Sequence, residues 1–168
     1  MDGHKATGTG VEVRDMAPED DAALLVMNNA AVPHVTALEA DGFAWIREHS
    51  DYARLAQRAG RAEGFVLAMR NGTPYWSENY AWFGARYESF LYLDRVVVAA
   101  GARGSGVGRA LYEDLVRFAT GRWPRITLEV NVRPPNPASI AFHEAMGYRR
   151  VGTRAYAGGE VAMFEREL

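Results

Sequence analysis

Hydrophobic side chains follow two spacings along this chain, and the change from one to the other marks the predicted elements. Residues 94–98 read Asp-Arg-Val-Val-Val, a β-branched run typical of a buried strand. Beyond it, Val107, Leu111 and Leu115 recur every four residues, which predicts the apolar face of a helix. In the first half of the chain, alternation and helical spacing predict a strand over 11–16, helices over 18–31 and 36–49, and strands over 52–58 and 63–69. A long loop is expected over 71–89. The second half is predicted to form a strand over 90–98, the helix from 107, a strand over 126–131, a helix over 138–146, and strands over 148–154 and 160–167. This order is typical of an α/β fold with a mixed sheet.

Length, composition and charge limit the class of protein. At 168 residues, with 48% hydrophobic and 24% charged residues, the chain has the size and composition of a single globular domain, expected over 11–168. A formal net charge of −2 argues against a protein that coats nucleic acid. The absence of cysteine excludes disulfides, thiolate metal sites and a cysteine acyl-enzyme. No apolar run approaches the roughly 20 residues of a membrane span. Residues 1–10 are small and polar, so we expect a flexible start, no signal peptide and a cytoplasmic protein.

A glycine-rich turn joins the β-branched strand to the helix and is the strongest chemical signal in the sequence. Arg103 is followed by Gly104, Gly106 and Gly108. Alternate glycines leave backbone N–H groups uncovered at the positive end of the helix dipole, which predicts a site for a polyanion such as a pyrophosphate. A nucleotide-hydrolase phosphate loop does not fit, because Lys and Ser/Thr do not follow Gly106. A dinucleotide fingerprint does not fit either, because its third glycine is missing.

Two motifs in this half of the chain resemble those of one family. Arg103, Gly106 and Gly108 satisfy Arg/Gln-x-x-Gly-x-Gly/Ala, with which the GNAT (Gcn5-related N-acetyltransferase) superfamily holds the diphosphate of coenzyme A. A second motif of that family, Asn-x-x-Ser/Ala-x-x-Phe/Leu-Tyr/His-x-x-x-Gly-Phe/Tyr, follows the fifth strand. It is matched here by Asn136, Ser139, Phe142, His143, Gly147 and Tyr148. The resemblance is explicit over residues 91–152 and compatible with the rest of the chain.

The resemblance implies a fold, a cosubstrate and a set of binding residues. The fold implied is of GNAT type: a mixed, mostly antiparallel sheet of about seven strands, flanked by about four helices and splayed between strands 4 and 5. Acetyl-CoA is the implied cosubstrate, with no metal, and the acetyl group passes directly to an amine in a ternary complex. The main chain of residues 96–98 would pair with the pantetheine arm, and Asn131 would contact the same arm. The cofactor-binding residues implied are Val96, Val97, Val98, Arg103, Gly104, Ser105, Gly106, Val107, Gly108, Arg109, Asn131, Asn136, Ser139, Phe142 and His143.

Transfer to an amine calls for a base, because an ordinary lysine-type amine has a pKa of about 10.4. Asp94 shares a strand face with Val96, and Glu129 lies two residues before Asn131 on its own strand, so either carboxylate could remove the proton. Either could equally be the buried ion-pair partner of an arginine, the candidates being Arg95, Arg125 and Arg150.

Protonation of the departing thiolate is the other catalytic role to assign. His143 stands where the family commonly has tyrosine, and a protonated histidine could donate to sulfur. Tyr148 or Tyr156 could serve instead, or the weakly basic thiolate could leave without an acid.

The acceptor has no motif of its own. Residues 71–89 form a long segment rich in aromatic side chains, which is either a packing flap or oligomer contact, or one wall of the acceptor site. From this segment Tyr80 and Trp82 are candidate substrate-binding residues. His34 is a third candidate, since the junction between the first two helices lines the acceptor site in the resembling family.

Several functions remain open on the sequence. The main prediction is an N-acetyltransferase acting on the amine of a small molecule or peptide, with no nucleic-acid or membrane partner and with a homodimer left open. The strongest rival is a non-catalytic acyl-CoA-binding domain that acts as a sensor or assembly module. Transfer of a bulkier acyl group, or transfer to a hydroxyl, is a further alternative, and a nucleotide hydrolase comes last.

Overall fold

The computed structural model describes residues 10–168, so the start predicted to be flexible lies outside the described residues except for Gly10. Within that range the strands are β1 (Glu12–Asp15), β2 (Tyr52–Arg58), β3 (Arg61–Arg70), β4 (Leu91–Val98), β5 (Arg125–Arg133), β6 (Arg149–Tyr156) and β7 (Gly159–Glu167). The α-helices of the same range are α1 (Asp21–Ala30), α2 (Ala40–His49), α3 (Glu78–Gly84), α4 (Val107–Ala119) and α5 (Pro137–Ala145). No helix from residue 10 onward combines the length and apolar character needed to cross a membrane.

The strands form one mixed sheet in the order β1-β2-β3-β4-β5-β7-β6. β4 and β5 are parallel, whereas β1–β2, β2–β3, β5–β7 and β6–β7 are antiparallel pairs. The parallel register joins Leu91 to Ile126 and Tyr92 to Thr127 and ends there, in keeping with the predicted splay of these two strands. The predicted mixed α/β fold with seven strands is therefore confirmed. The described residues form five α-helices where about four were expected.

The chain divides into two compact units. The first comprises the described residues up to Met69 together with Asp94–Phe118, and the second comprises Arg70–Leu93 together with Ala119–Leu168. β4 therefore contributes its first residues to the second unit and its last residues to the first. The interpretation of residues 11–168 as one domain stays a prediction.

In the first unit, α4 lies directly against β3 because Gly64 has no side chain. A Cβ atom at Gly64 would lie 2.8 Å from the carbonyl oxygen of Val97 and 3.0 Å from Cγ1 of Val107. A second contact lies nearer the end of α4, where Asp114 accepts a hydrogen bond of 2.7 Å from the Tyr52 hydroxyl of β2. Close packing at Gly64 thus sets the position of the first turn of α4.

In the second unit, a buried carboxylate joins three strands. Glu165 on β7 is 1% exposed and accepts hydrogen bonds from Arg125 on β5, at 2.8 Å, and from Arg149 on β6. Burial raises the pKa of Glu165, but hydrogen bonds from Tyr87 and Arg125 and the charges of Arg125 and Arg149 outweigh it. The net effect is a lowered pKa. Glu165 therefore stays ionised in a place where a carboxylate without partners would be costly.

The prediction of a continuous loop over 71–89 is wrong, because α3 forms inside it. The Ser77 hydroxyl caps this helix by accepting from the N–H of Tyr80 at 3.3 Å. Tyr80 and Phe83 are buried, with ring centroids 5.7 and 6.2 Å from that of Phe90. Three-residue spacing of buried aromatics is a helical signal, and it was present in the sequence.

α2 begins at Ala40, four residues later than predicted. The backbone ahead of it bonds to side chains of α1. The Asn28 amide donates to the carbonyl of Thr36 at 3.1 Å, and Asn29 exchanges hydrogen bonds of 3.0 Å with the main chain of Leu38. These long-range side-chain contacts satisfy the backbone groups that a longer helix would have used.

Candidate functional site

The turn between β4 and α4 has the backbone that anion binding requires. Gly104 and Gly106 have φ of +74° and +88°, where any other residue would be strained. The N–H of Ala110 donates to the carbonyl of Gly106 at 3.0 Å, which starts the helix. The N–H groups of residues 107–109 therefore belong to the first helical turn, which has no acceptors within the helix.

The turn is anchored on one side and accessible on the other. Ala102 and Val107 are buried, at 5% and 1% exposure, whereas Arg103, Gly104 and Gly106 are exposed. Main-chain donors, an exposed guanidinium and the positive end of a 13-residue helix suit a dianion. The residues present therefore fit a diphosphate.

A groove of about 550 Å³ lies beside this turn in the first unit. α1 lines it with apolar side chains that include Val26 and Met27, β3 adds Arg61 and Glu63, and residues 98–103 form another wall.

The main chain of β4 alternates between its two edges. The N–H of Ala99 donates to the carbonyl of Glu63 on β3 at 2.8 Å, so residues 97 and 99 direct their polar groups toward β3. By alternation, the N–H and C=O groups of Val96 and Val98 point to the opposite edge. Of the three valines predicted to bind an extended ligand, Val96 and Val98 thus have the suitable orientation. The sequence predicts a buried strand here, but the side chains of Val96 and Val98 are half-buried, whereas that of Val97 is buried at 4% exposure.

Asp94 is engaged in an ion pair. Its carboxylate accepts a hydrogen bond from Arg95 Nε at 2.7 Å, and both side chains are 5% exposed. Arg95 also donates to the side chain of Asn28 at 3.0 Å and to the carbonyl of Thr36 at 3.2 Å. The ion-pair alternative that the sequence left open for Asp94 is the arrangement found, with Arg95 as its partner.

Glu129 is held by neutral donors. The Tyr92 hydroxyl lies 2.9 Å from Oε1 and 2.8 Å from Oε2 of this carboxylate, and the amide of Asn79 donates to Oε1 at 3.0 Å. Tyr92 is fully buried and comes from β4, while Asn79 comes from α3. Neither residue is predicted to be functional from the sequence. Strand parity could have indicated Tyr92, which shares a strand face with Asp94, but Asn79 has no local signal.

His143 is packed inside the second unit. It is 5% exposed, its ring meets those of Phe142 and Tyr148 edge-on, and its Nδ1 lies 2.7 Å from the carbonyl of Ser139. Burial lowers the pKa of His143, and the Ser139 contact offsets only part of that effect. Near pH 7 the ring is therefore mostly neutral. Because a carbonyl can only accept, the Nδ1 proton faces Ser139 and Nε2 carries none.

The other residues of the second motif cap or continue α5. The side chain of Asn136 accepts from the N–H of Ser139 at 3.4 Å, so Asn136 is the N-cap of α5, as predicted.

On β5, Asn131 accepts a hydrogen bond from the Tyr156 hydroxyl at 3.3 Å, and Tyr156 is 38% exposed. Tyr148 is buried, and burial raises the pKa of its hydroxyl far above the usual value. Of the two tyrosines considered as alternative acids, Tyr156 is the accessible one.

The three predicted acceptor-binding residues differ in exposure. His34 is exposed on the connection between α1 and α2. Tyr80 is buried, and its hydroxyl donates to the carbonyl of Arg70 at 2.7 Å while accepting from the N–H of Thr73 at 2.8 Å. Trp82 is half-buried, with the Arg86 guanidinium 3.4 Å from its ring centroid. Tyr80 thus closes a turn of its own chain, and the acceptor roles of Tyr80, Trp82 and His34 stay predictions.

From Gly10 to Leu168, no group of three or more histidine, cysteine, aspartate or glutamate side chains could hold a metal ion.

Residues 32–148 match the family model of the acetyltransferase (GNAT) family. The chain belongs to this family. The match includes the turn at residues 103–109, Asp94, Glu129 and the α5 motif. A comparison with curated proteins finds no significant match.

Solved structures share the fold of this GNAT chain at low sequence identity. The ribosomal-protein-S18-alanine N-acetyltransferase from Escherichia coli is 18% identical, with a TM-score of 0.72 over 94% of this chain and 93% of that one. Arabidopsis thaliana Naa50, in complex with the bisubstrate analogue CoA-Ac-MVNAL, is 15% identical, with a TM-score of 0.74 over 95% and 99%. The yncA protein of Salmonella typhimurium, solved with its cofactor acetyl-CoA, is 19% identical, with a TM-score of 0.70 over 94% and 93%. At these identities the likeness establishes the fold alone.

Proposed function

We propose that this GNAT chain transfers an acetyl group from acetyl-CoA directly to an amine. The observation that carries the proposal is the turn at residues 103–109. It combines two left-handed glycines, the first turn of α4 and an exposed arginine, Arg103. A diphosphate has the charge and the oxygen acceptors that such a site binds. In a GNAT protein the molecule that brings a diphosphate is coenzyme A.

The residues of the chain would bind and orient this cosubstrate, which supplies an acyl group activated as a thioester. The turn and Arg103 would hold the diphosphate. The N–H and C=O groups of Val96 and Val98 face the edge of β4 away from β3, and they would pair with the pantetheine arm as an added strand does. Asn131 would contact the same arm. The remaining contacts, expected from the α5 motif, are Asn136, Ser139 and Phe142.

Glu129 is the base that we propose. An amine acceptor is mostly protonated near pH 7 and must lose a proton to a nearby base, directly or through water. The carboxylate of Asp94 is neutralised by Arg95, whereas Tyr92 and Asn79 hold Glu129 without adding a positive charge. Glu129 also lies two residues before Asn131 on the same strand face, and this position supports it as the base.

The departing thiolate does not need His143 in this proposal. A mostly neutral ring with its proton turned toward Ser139 has none on Nε2 to donate. Tyr156 is exposed beside Asn131 and could donate, or the thiolate could leave without an acid.

The acceptor class that we propose is a primary amine, free or at the amino terminus of a peptide. Two structural neighbours support including peptides: one is named for the alanine of ribosomal protein S18, and the other holds an analogue that links CoA to a peptide.

Calorimetry with coenzyme A tests the cosubstrate. We expect heat on titration into the wild-type chain and, for Arg103→Ala, a Kd raised about tenfold through loss of a charge-assisted contact. Arg122→Ala removes an exposed arginine outside the turn and should leave the Kd unchanged. If saturating coenzyme A gives no heat with the wild-type chain, the proposal is wrong.

Thiol release from acetyl-CoA over a panel of small amines and short peptides tests the transfer. Release that depends on an amine supports an acetyltransferase. Tight binding of coenzyme A without release for any amine would support the non-catalytic sensor instead. Repeating the assay with propionyl- and succinyl-CoA defines the acyl group.

A further inference from the structure

One hydrogen-bonded chain runs from the surface of α3 to Glu129. Asn79 donates its amide N–H to Glu129 Oε1 at 3.0 Å, and its Oδ1 accepts from Arg154 Nε at 2.6 Å. Arg154 also donates to the exposed carboxylate of Glu78 at 3.0 Å. All of these residues belong to the second unit.

The Arg154 contact fixes which way the Asn79 amide faces. A guanidinium only donates, so the atom of Asn79 that faces Arg154 must be the oxygen. The amide nitrogen then faces Glu129, whose carboxylate only accepts. Asn79 cannot flip without placing two donors against each other on one side and two acceptors against each other on the other.

Two neutral donors together define the orientation of the carboxylate. Tyr92 contacts both of its oxygens, and Asn79 contacts Oε1 alone. The Tyr92 contact does not distinguish the two oxygens, whereas the Asn79 hydrogen bond does, because it engages Oε1 only.

We infer that Asn79 is a positioning residue for the transfer reaction: held by Arg154, it orients the carboxylate of Glu129 toward the acceptor amine. This inference rests on the proposed function with Glu129 as the base. It gives a role in the reaction to one residue of α3, the seven-residue helix between β3 and β4.

Two substitutions at Asn79 separate positioning from packing. Asn79→Ala removes the donor, so kcat should fall roughly 10- to 100-fold while KM for acetyl-CoA stays unchanged. Asn79→Asp keeps the shape but places a negative charge against Glu129. That charge favours the protonated form of Glu129, so the acid limb of the kcat profile should move to higher pH.

Glu78→Gln is the matched control. It lies beside Asn79 on α3 and contacts the same arginine, but its side chain is 80% exposed and its contact is with Arg154. Its kcat and pH profile should equal those of the wild-type chain. Thermal unfolding of every variant shows whether α3 still folds.

The outcomes distinguish this inference from the function on which it rests. If Glu129→Gln loses turnover but Asn79→Asp keeps the wild-type acid limb, the positioning role is overturned and the transferase stands. If the wild-type chain transfers to no amine, the proposed function fails. In that case a ¹³C NMR titration of the Glu129 carboxyl tests the contact between Asn79 and Glu129. A midpoint that rises in Asn79→Asp supports it, and an unchanged midpoint overturns it.

Discussion

The side chain of His143 illustrates how packing changes what a titratable residue can do. As a free imidazole it would be partly protonated near neutrality, which is why it is an attractive acid at this position of the motif. Enclosed by Phe142 and Tyr148 and bonded to Ser139, it has a lowered pKa and is mostly neutral.

We expect His143→Gln to retain the pH dependence of kcat between pH 6 and 9. The same variant should change how stability depends on pH. Because the pKa is lowered in the native state, the unfolded state binds more protons between that lowered value and about 6.5. The wild-type chain therefore loses stability as the pH falls below about 6.5, and His143→Gln should not show this loss.

Urea unfolding at pH 7.5 and 5.5 measures the stability effect, with His34→Gln as the exposed control. A variant that lost the alkaline limb of the kcat profile would restore the acid role to His143 and contradict our interpretation.

The position of α4 depends on one missing side chain in β3. The Cβ of Gly64→Ala would lie 2.8 Å from the Val97 carbonyl and 3.3 Å from Cδ1 of Leu111, closer than the packing can accept. Relief requires β4 at Val97 and the start of α4 to shift, and α4 begins at Val107 inside the turn at residues 103–109.

Gly64→Ala should therefore lower the free energy of unfolding by about 1–3 kcal/mol and also weaken binding of coenzyme A. Urea denaturation and calorimetry measure the two effects. Gly101→Ala is the control, since nothing lies within 4 Å of its Cβ position, and both quantities should stay at wild-type values. A Gly64→Ala chain with full stability and full affinity would refute the coupling between β3 and the turn.

Acid stability of the chain as a whole should depend strongly on Glu165. Its pKa is lowered in the native state, so its contribution is fully present above the unfolded value of about 4.3 and is lost as the pH falls through the lowered value. At pH 7, Glu165→Gln should cost about 1.5–3 kcal/mol, the usual size of hydrogen bonds to charged groups.

Unfolding in urea at pH 7 and pH 3.5 checks this expectation, because the difference between the wild-type chain and Glu165→Gln should shrink in acid. Glu167→Gln is the matched control on the same strand, since its side chain is 68% exposed and lies 3.5 Å from the same Arg149. An equal cost for the two variants would mean that burial of Glu165 contributes nothing.

Local sequence was sufficient for the features whose physics is local. The turn at 103–109 could be predicted because left-handed glycines and a helix start depend on neighbouring residues alone. The same holds for the cap of α5 at Asn136 and for the strands, whose alternation reports which face is buried. Family membership followed from the same two motifs.

Long-range contacts determined the partners of the candidate catalytic side chains, because no local pattern encodes which distant side chains meet. Asp94 and Glu129 were both predicted as candidate bases, and only the structure shows their partners: an arginine beside the first, and for the second an asparagine 50 positions away in the chain. α3 had a helical signal that could have been used, but its role depends on where Asn79 lies relative to β5. The chain thus carries its turns, caps and strand faces in neighbouring residues. Packing determines which side chains contact each carboxylate and how deeply His143 is buried, since neither the Asn79–Glu129 contact nor burial is encoded by neighbouring residues.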